Sequence, residues 1–318
     1  MSEFLYLPDA TLEELGIGTG EVADAIEAAI RDKAEGRLFD SPKAAILPGD
    51  SRYMMSTLAV GNTEELTVLK TVTVSPDNPA RDLPAINGAI LVLDARTGLL
   101  RALVGANWVT AVRTAALSVV AARRLADPQS KSVAFVGCGT QAHSHLAAFA
   151  EMFPLDKVFA IGRGRANVDR LCETARGMGL AAEAPEDPEA ALREADLVVT
   201  SVTLDYSIEP FLDARWLKPG AFAAITDLGI PWFDAGFAAL DSVVIDDRTQ
   251  EAAMEKKLIA PERVDADLTE LVAGAPLAFD AEKTGAFLFR GIAVGDYAAA
   301  ALAVQRAEAR GAGQRIPL

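Results

Sequence analysis

The stretch Gly137-Cys138-Gly139-Thr140-Gln141-Ala142 has the spacing G-x-G-x-x-G/A, directly after a short apolar run, Ser132 to Val136, and before residues of helical pattern. That order puts backbone N–H groups and a helix N-terminus at the end of a strand, where a pyrophosphate docks. Gly137 permits the tight turn, Gly139 lets phosphates approach the backbone, and Ala142 is small enough for the helix to pack on the sheet. Thr140 and Gln141 open the helix and belong to the same expected cofactor-binding set. The bland alternative is a plain strand-to-helix turn. A second apolar run, Lys157 to Ile161, follows about 20 residues after the loop, where the pattern expects a strand. An NAD site would place an acid at its end, but Gly162-Arg163-Gly164-Arg165 stands there. An arginine fork pairs with phosphate oxygens and stacks on adenine, so Arg163 and Arg165 favour NADP(H), with NAD(H) as the other possibility. The alternative for both arginines is a solvated loop charge.

Three charges stand in unexpected places. Read at period two, Leu66 to Ser75 has one face of Leu66, Val68, Lys70, Val72 and Val74, so Lys70 is the only charge on it. An ammonium there needs a partner or loses its proton more easily, and either outcome suits a proton donor or an anion clamp. The alternative is an edge lysine that reaches water. Arg113 sits in an apolar helical stripe with Val109, Thr110, Ala116 and Leu117 as neighbours. An inward guanidinium needs an anion, either a ligand carboxylate or a structural protein acid. The nearby text offers no obvious internal anion for either cation. Asp227 ends the run Ala221 to Asp227, where open α/β sheets bind ligands, although an aspartate also caps a turn such as Leu228-Gly229-Ile230-Pro231. His143 and His145 point to different helix faces with no accompanying ligand cluster, so no metal site is expected. Asp296, before an alanine-rich run, reads as a helix N-cap.

Elements of two kinds must position these residues. From Ser132 to about Asp247, strands alternate with helices. Ala195 to Val202, Ala221 to Leu228 and Ser242 to Asp246 add three buried-strand runs, the pattern of a doubly wound parallel sheet. The first 127 residues instead predict a helix over Glu21 to Glu35 and strands near 43–47, 52–60, 66–75, 86–93 and 99–104. The last two are joined by the turn Asp94-Ala95-Arg96-Thr97-Gly98, and a long helix follows over Asn107 to Ala126. A C-terminal helix, about Gly295 to Arg310, is expected to return to the first domain. The expected organisation is α/β: a Rossmann-type domain, 128–291, inserted in an α+β substrate and dimerisation domain made of 1–127 and 292–318.

With 318 residues, half of them hydrophobic, the chain has enough core for two domains. Its net charge of −15 argues against nucleic-acid or anionic-membrane partners. Cys138 and Cys172 make no disulfide framework and are expected to be reduced. No basic segment with an apolar run opens the chain and no apolar stretch is long enough to span a bilayer, so a cytoplasmic location is expected.

Taken together, Arg52-Tyr53-Met54-Met55, Leu69-Lys70, Asn78-Pro79, the Asp94–Gly98 turn, Thr110-Ala111-Val112-Arg113-Thr114-Ala115-Ala116, the glycine loop and Asp227 resemble the ornithine cyclodeaminase/μ-crystallin family. The resemblance implies a homodimer. It also implies that Lys70 and Arg113, with Arg52 assisting, hold a substrate carboxylate, that Thr114 binds the cofactor, and that Asp227 works at the substrate amine as acid/base. Lys70 and Asp227 are thus the implied catalytic pair. Two departures narrow the reading. No glutamate precedes the family methionine, and an arginine in that region resembles the alanine-dehydrogenase branch. Asp227 is followed by Leu-Gly-Ile-Pro-Trp rather than Pro-Gly-Lys. The expected activity is NADP(H)-dependent reduction of a 2-imino or cyclic ketimine carboxylate, or the reverse amino-acid dehydrogenation. The alternatives are a cyclodeaminating lyase with bound NAD and a non-catalytic binder of NADPH and a carboxylate. Trp108 and Trp232 are either pocket walls or core.

Overall fold

The structure is a computed structural model that describes residues 3–318. Met1 and Ser2, part of the expected first domain, lie outside the described residues. The chain forms two compact units: one of the residues up to Arg113 together with Ile292–Leu318, the other of Thr114–Gly291.

The first unit opens with β1 (Glu3–Leu7), α1 (Asp9–Glu14) and α2 (Thr19–Ala34). Helix α2 forms because Val22, Ala23, Ile26, Ala29 and Ile30 recur at helical spacing and are buried, and because the Glu21 carboxylate accepts the Gly18 N–H at 3.1 Å. Strands β2 (Leu38–Asp40), β3 (Ala44–Ile46), β4 (Tyr53–Gly61), β5 (Leu66–Val74), β6 (Ile86–Asp94) and β7 (Leu100–Gly105) follow. The Asp94 carboxylate accepts the Thr97 N–H at 2.8 Å in the β6–β7 turn. Helix α3 (Ala106–Leu125) then carries the chain across the division between the units, which falls within it rather than at the expected residue 127.

The second unit holds β8 (Ser132–Val136), α4 (Thr140–Met152), β9 (Lys157–Ile161), α5 (Arg165–Gly177), β10 (Ala181–Glu183), α6 (Pro188–Glu194), β11 (Leu197–Thr200), β12 (Phe222–Ile225), β13 (Ser242–Ile245), α7 (Arg248–Ala253), β14 (Ala266–Asp267), α8 (Leu268–Val272) and β15 (Gly285–Leu288). The strands lie in the order β10-β9-β8-β11-β12-β15-β13-β14, and every pairing is parallel. This is the doubly wound, Rossmann-type sheet, and its strand order reverses between β8 and β11, where such sheets open a ligand crevice. Strands β10, β14 and β15 escape the sequence reading, which ends its alternating block near Asp247.

The first unit is completed by α9 (Ala293–Arg310) and β16 (Gln314–Pro317). The sheet order is β16-β1-β7-β6-β5-β4-β2, with β3 beside β4. Helix α9 packs on α2 and on β4, β5 and β6. It covers the face that carries Val68, Lys70 and Val72, all buried. No helix among the described residues is long and apolar enough to cross a membrane.

Candidate functional site

Strand β5 lies between β4 and β6, so Lys70 is on a central strand and the edge-lysine alternative fails. Thr57 of β4 and Ile90 of β6 flank it in register. Its side chain is 1% exposed and its Nζ donates to Asp296 Oδ1 at 2.5 Å. The Thr57 hydroxyl donates to Asp296 Oδ2 at 2.8 Å. Arg113, also buried, brings its Nε within 3.2 Å of the same Oδ1 as an ion pair, without forming a hydrogen bond through that nitrogen. The chain therefore does contain an internal anion for these cations, contrary to the expectation from nearby text. Asp296 is not the helix N-cap either. Ile292 takes that position, and Asp296 lies on the buried face one turn in.

Two cations share one carboxylate, so the buried group carries one surplus positive charge. Burial pushes the Lys70 ammonium down to about 8, with Asp296 pulling it up and Arg113 pushing it further down. Burial favours the neutral form of Asp296, but Lys70 and Arg113 outweigh it and hold the carboxyl below its ordinary range.

Arg52 is not brought to this group. It precedes β4, pairs with Asp50 Oδ2 at 2.6 Å and is 45% exposed. Five residues of extended strand, roughly 17 Å, separate it from Thr57.

In the second unit, the glycine loop borders a cavity of about 880 Å³ lined also by Arg163, Arg165, Asn167, Ser201 and Asp205. Gly137 has φ of 93°, and a Cβ there would lie 2.5 Å from the Ser201 carbonyl oxygen, so only glycine fits. A Cβ on Gly139 would meet nothing within 4 Å, which leaves open space before the first turn of α4. Thr140 and Gln141 begin that helix, and Ala142, its third residue, is fully buried. This cradle fits a dinucleotide pyrophosphate. Strand β9 ends at Ile161 and gives way to Gly162 and Arg163, with no acid at its tip. Arg165 pairs with Asp169 Oδ1 at 2.9 Å and is well exposed. Burial raises the Cys138 thiol to about 12, so this loop cysteine is an unreactive neutral group.

Thr114 is buried in α3, with its carbonyl oxygen 3.4 Å from Ser118 Oγ. His145 is fully buried between the Gln141 carbonyl (2.8 Å) and Ser118 Oγ (2.9 Å). A carbonyl only accepts, so Nδ1 carries the proton and Nε2 accepts from Ser118. Burial lowers this histidine to about 4, which keeps it neutral.

Asp227 stands just beyond β12 and is 1% exposed. Its Oδ1 accepts the Thr200 hydroxyl at 2.9 Å and its Oδ2 the Val202 N–H at 3.0 Å. Burial raises the carboxyl to about 6, while these bonds and its own turn pull it back. The side chain thus ties β12 to the end of β11. In the following turn Leu228 has φ of 61° and Gly229 of 70°. A left-handed leucine costs roughly 1–2 kcal/mol, so this turn is strained. Trp232 is core: it is 1% exposed, tilts against Phe237 at 6.2 Å, and donates its indole N–H to Thr200 Oγ1 at 3.3 Å. Trp108 is half-buried, and its backbone N–H donates to Asp9 Oδ1.

The sequence reading missed Asp296 and Thr57. The signal was present for Asp296: Ala293, Asp296, Ala300, Ala303 and Ala307 form one buried helical stripe, and a carboxylate in such a stripe is the same anomaly that marked Arg113.

The profile of the ornithine cyclodeaminase/mu-crystallin family matches residues 9–311. Ketimine reductase mu-crystallin of Rattus norvegicus is 31% identical over 243 residues, 75% of each chain. An archaeal alanine dehydrogenase, solved as a dimer with bound NAD, is 26% identical with a TM-score of 0.88 and full coverage of both chains. The Thermococcus litoralis Δ1-pyrroline-2-carboxylate reductase, solved with NADH and L-proline, shares the fold with a TM-score of 0.89 at 23% identity, over 98% of this chain and 100% of that one.

Proposed function

The chain belongs to the ornithine cyclodeaminase/mu-crystallin family, and from that premise we propose that it reduces a 2-imino or cyclic ketimine carboxylate to an amino acid, or runs the reverse dehydrogenation, with NADP(H) preferred over NAD(H). The carrying observation is the surplus positive charge buried at Lys70, Arg113 and Asp296, which calls for one carboxylate. The names of the relatives, ketimine reductase, pyrroline-2-carboxylate reductase and alanine dehydrogenase, share interconversion of a C=N and a CH–N bond beside a carboxylate.

In this reading Arg113 and Lys70 bind the carboxylate and fix the adjacent carbon about one bond away. Arg52, held by Asp50, takes no part. Gly137, Gly139, Thr140, Gln141 and Ala142 hold the pyrophosphate, Thr114 lies on the cofactor side, and Arg163 and Arg165 receive the 2′-phosphate. The cofactor, when bound, supplies or accepts the hydride. Asp227 manages the proton at the substrate nitrogen. Because its carboxylate is sealed by Thr200 and Val202, reaching that nitrogen requires the strained Leu228-Gly229 turn to move. The test is a panel of cyclic imines, and of 2-keto acids with amines, followed by NADPH absorbance. Net cofactor turnover supports the reading. Ammonia release from a basic amino acid without net cofactor change identifies a lyase instead.

Cofactor choice has its own test. Replacing Arg163 and Arg165 by serine is expected to weaken NADPH about ten- to a hundredfold, the size of one or two charge-assisted bonds, and to leave NADH nearly unchanged. Fluorescence titration that shows tighter NADH binding in the unmodified protein overturns the NADP(H) preference.

We also propose a homodimer. On the sheet face opposite Lys70, Leu58, Leu69, Leu91 and Leu103 stand in register across β4, β5, β6 and β7. Leu58 is 40% exposed and the others are half-buried, an apolar row that suits a second copy. Light scattering is expected to give a dimer mass, and Leu58→Glu with Leu91→Glu a monomer. A monomer mass for the unmodified protein at micromolar concentration removes the proposal.

A further inference from the structure

The Asp296 carboxylate joins four elements distant in sequence. It projects from α9, takes the Lys70 ammonium of β5 and the Thr57 hydroxyl of β4, and lies against the Arg113 guanidinium of α3. We propose that Asp296, fixed by Thr57, is the positioning residue of the substrate site: it holds Lys70 and Arg113 in their binding arrangement and leaves one positive charge for the incoming carboxylate. This rests on the reading of those two cations as the substrate's carboxylate clamp.

The arrangement differs from a structural ion pair in two respects. A buried charge left without full compensation is strongly destabilising. Here two cations meet one acid. A structural arginine also directs its N–H groups at its partner, whereas Arg113 Nε faces Asp296 at 3.2 Å without a hydrogen bond. Lys70 and Thr57, by contrast, both bond the acid directly, one at each oxygen. Asp296 is thus anchored by the sheet and lends only its charge to Arg113, so the fork stays available to a carboxylate of matching geometry.

An acid beside an anion site would by itself repel the ligand, so its presence needs a gain that outweighs this. The gain is the charge state of Lys70. The charged groups acting on Lys70 are Asp296 from α9 and Arg113 from α3, while the flanking strands present Thr57 and Ile90, which carry no charge. Burial and Arg113 both push the proton off. Asp296 opposes them, and without it Lys70 becomes neutral at a lower pH and no longer contributes to anion binding.

The experiment uses the full chain and two readouts. The first is thermal stability against pH. A lysine whose native value lies below its ordinary 10.5 binds its proton less tightly when folded, so stability rises as pH climbs from about 8 towards 10.5. In Asp296→Asn the onset of that rise is expected at least about one pH unit lower. In a Lys70→Met background, Asp296→Asn should no longer move it. The second is kinetics with 1-pyrroline-2-carboxylate. KM at pH 8 should rise about tenfold or more, and lowering the pH should recover part of it, with kcat changing less than KM. If Asp296→Asn does not fold, Thr57→Val keeps the shape, removes one anchor and should move the onset in the same direction by less. An unmoved onset in every variant that folds overturns the proposal. The stability readout needs no turnover, so it stands even if the imine-reductase reading fails. Conversely, an active enzyme with an unmoved onset removes the role of Asp296 alone.

Discussion

Arg113→Ala is expected to raise KM for the imino-acid substrate by about thirtyfold to several thousandfold, the equivalent of ~2–5 kcal/mol for losing one partner of a desolvated charge pair. The effect falls on binding because the guanidinium contacts the unreactive carboxylate, which has the same charge before and during the reaction. Lys70 and Asp296 remain paired in the variant, so the fold keeps its buried ion pair and loses only the surplus charge. Arg113→Lys should recover part of the loss, since it restores the charge but not the fork. NADPH titration should be unchanged in both. Unaltered KM in Arg113→Ala would remove the carboxylate from this cluster.

Asp227→Asn is expected to lower kcat by about a hundredfold to ten-thousandfold, the range for a general acid–base group, with a smaller change in KM. The raised carboxyl also sets a pH signature. With a value of about 6, the carboxylate form that accepts a proton grows as pH rises through 6, so the oxidative rate should rise there and the reductive rate should fall above it. Both limbs should be absent in the residual activity of the variant. Stability moves the other way. The native state holds this proton more tightly than the unfolded chain does between about 4 and 6, so the group costs stability as pH rises through that window. Asparagine avoids this cost but loses one accepted hydrogen bond, because an amide NH2 cannot accept from Thr200 or Val202. Rates of the unmodified protein that ignore pH around 6, or a variant that turns over normally, would take Asp227 out of the chemistry.

Much of the fold was legible because its signals are local. Strands β8 and β9 match their apolar runs residue for residue, since a strand buried on both faces leaves no polar interruption. The period-two face of β5 isolated Lys70, and the helical stripe of α3 isolated Arg113. What stayed hidden was their partner. Asp296 lies 226 residues from Lys70, and its position at the head of an alanine run looks the same for a cap as for a buried acid. Only the packing of α9 on β5 decides between them. Strands β10 and β14 are too short for a period to emerge, and β15 follows a stretch rich in Gly, Pro and charge. The Asp227 side chain could not be assigned from its position at a strand tip, because its two partners sit on the neighbouring strand β11 and beyond it.

The first unit is written in two pieces of the gene, and this gives it a history during synthesis. Thr114–Gly291 is contiguous, so its parallel sheet assembles from what has already left the ribosome. The other unit must wait. Until α9 and β16 emerge, β1 has β7 on one side but an unpaired edge on the other, the face above β5 lies bare, and Lys70 and Arg113 lack Asp296 as counter-ion. The stretch after Gly291 is therefore the one that closes the older half, and a nascent chain halted there presents a finished parallel sheet and, separately, an open, cationic one.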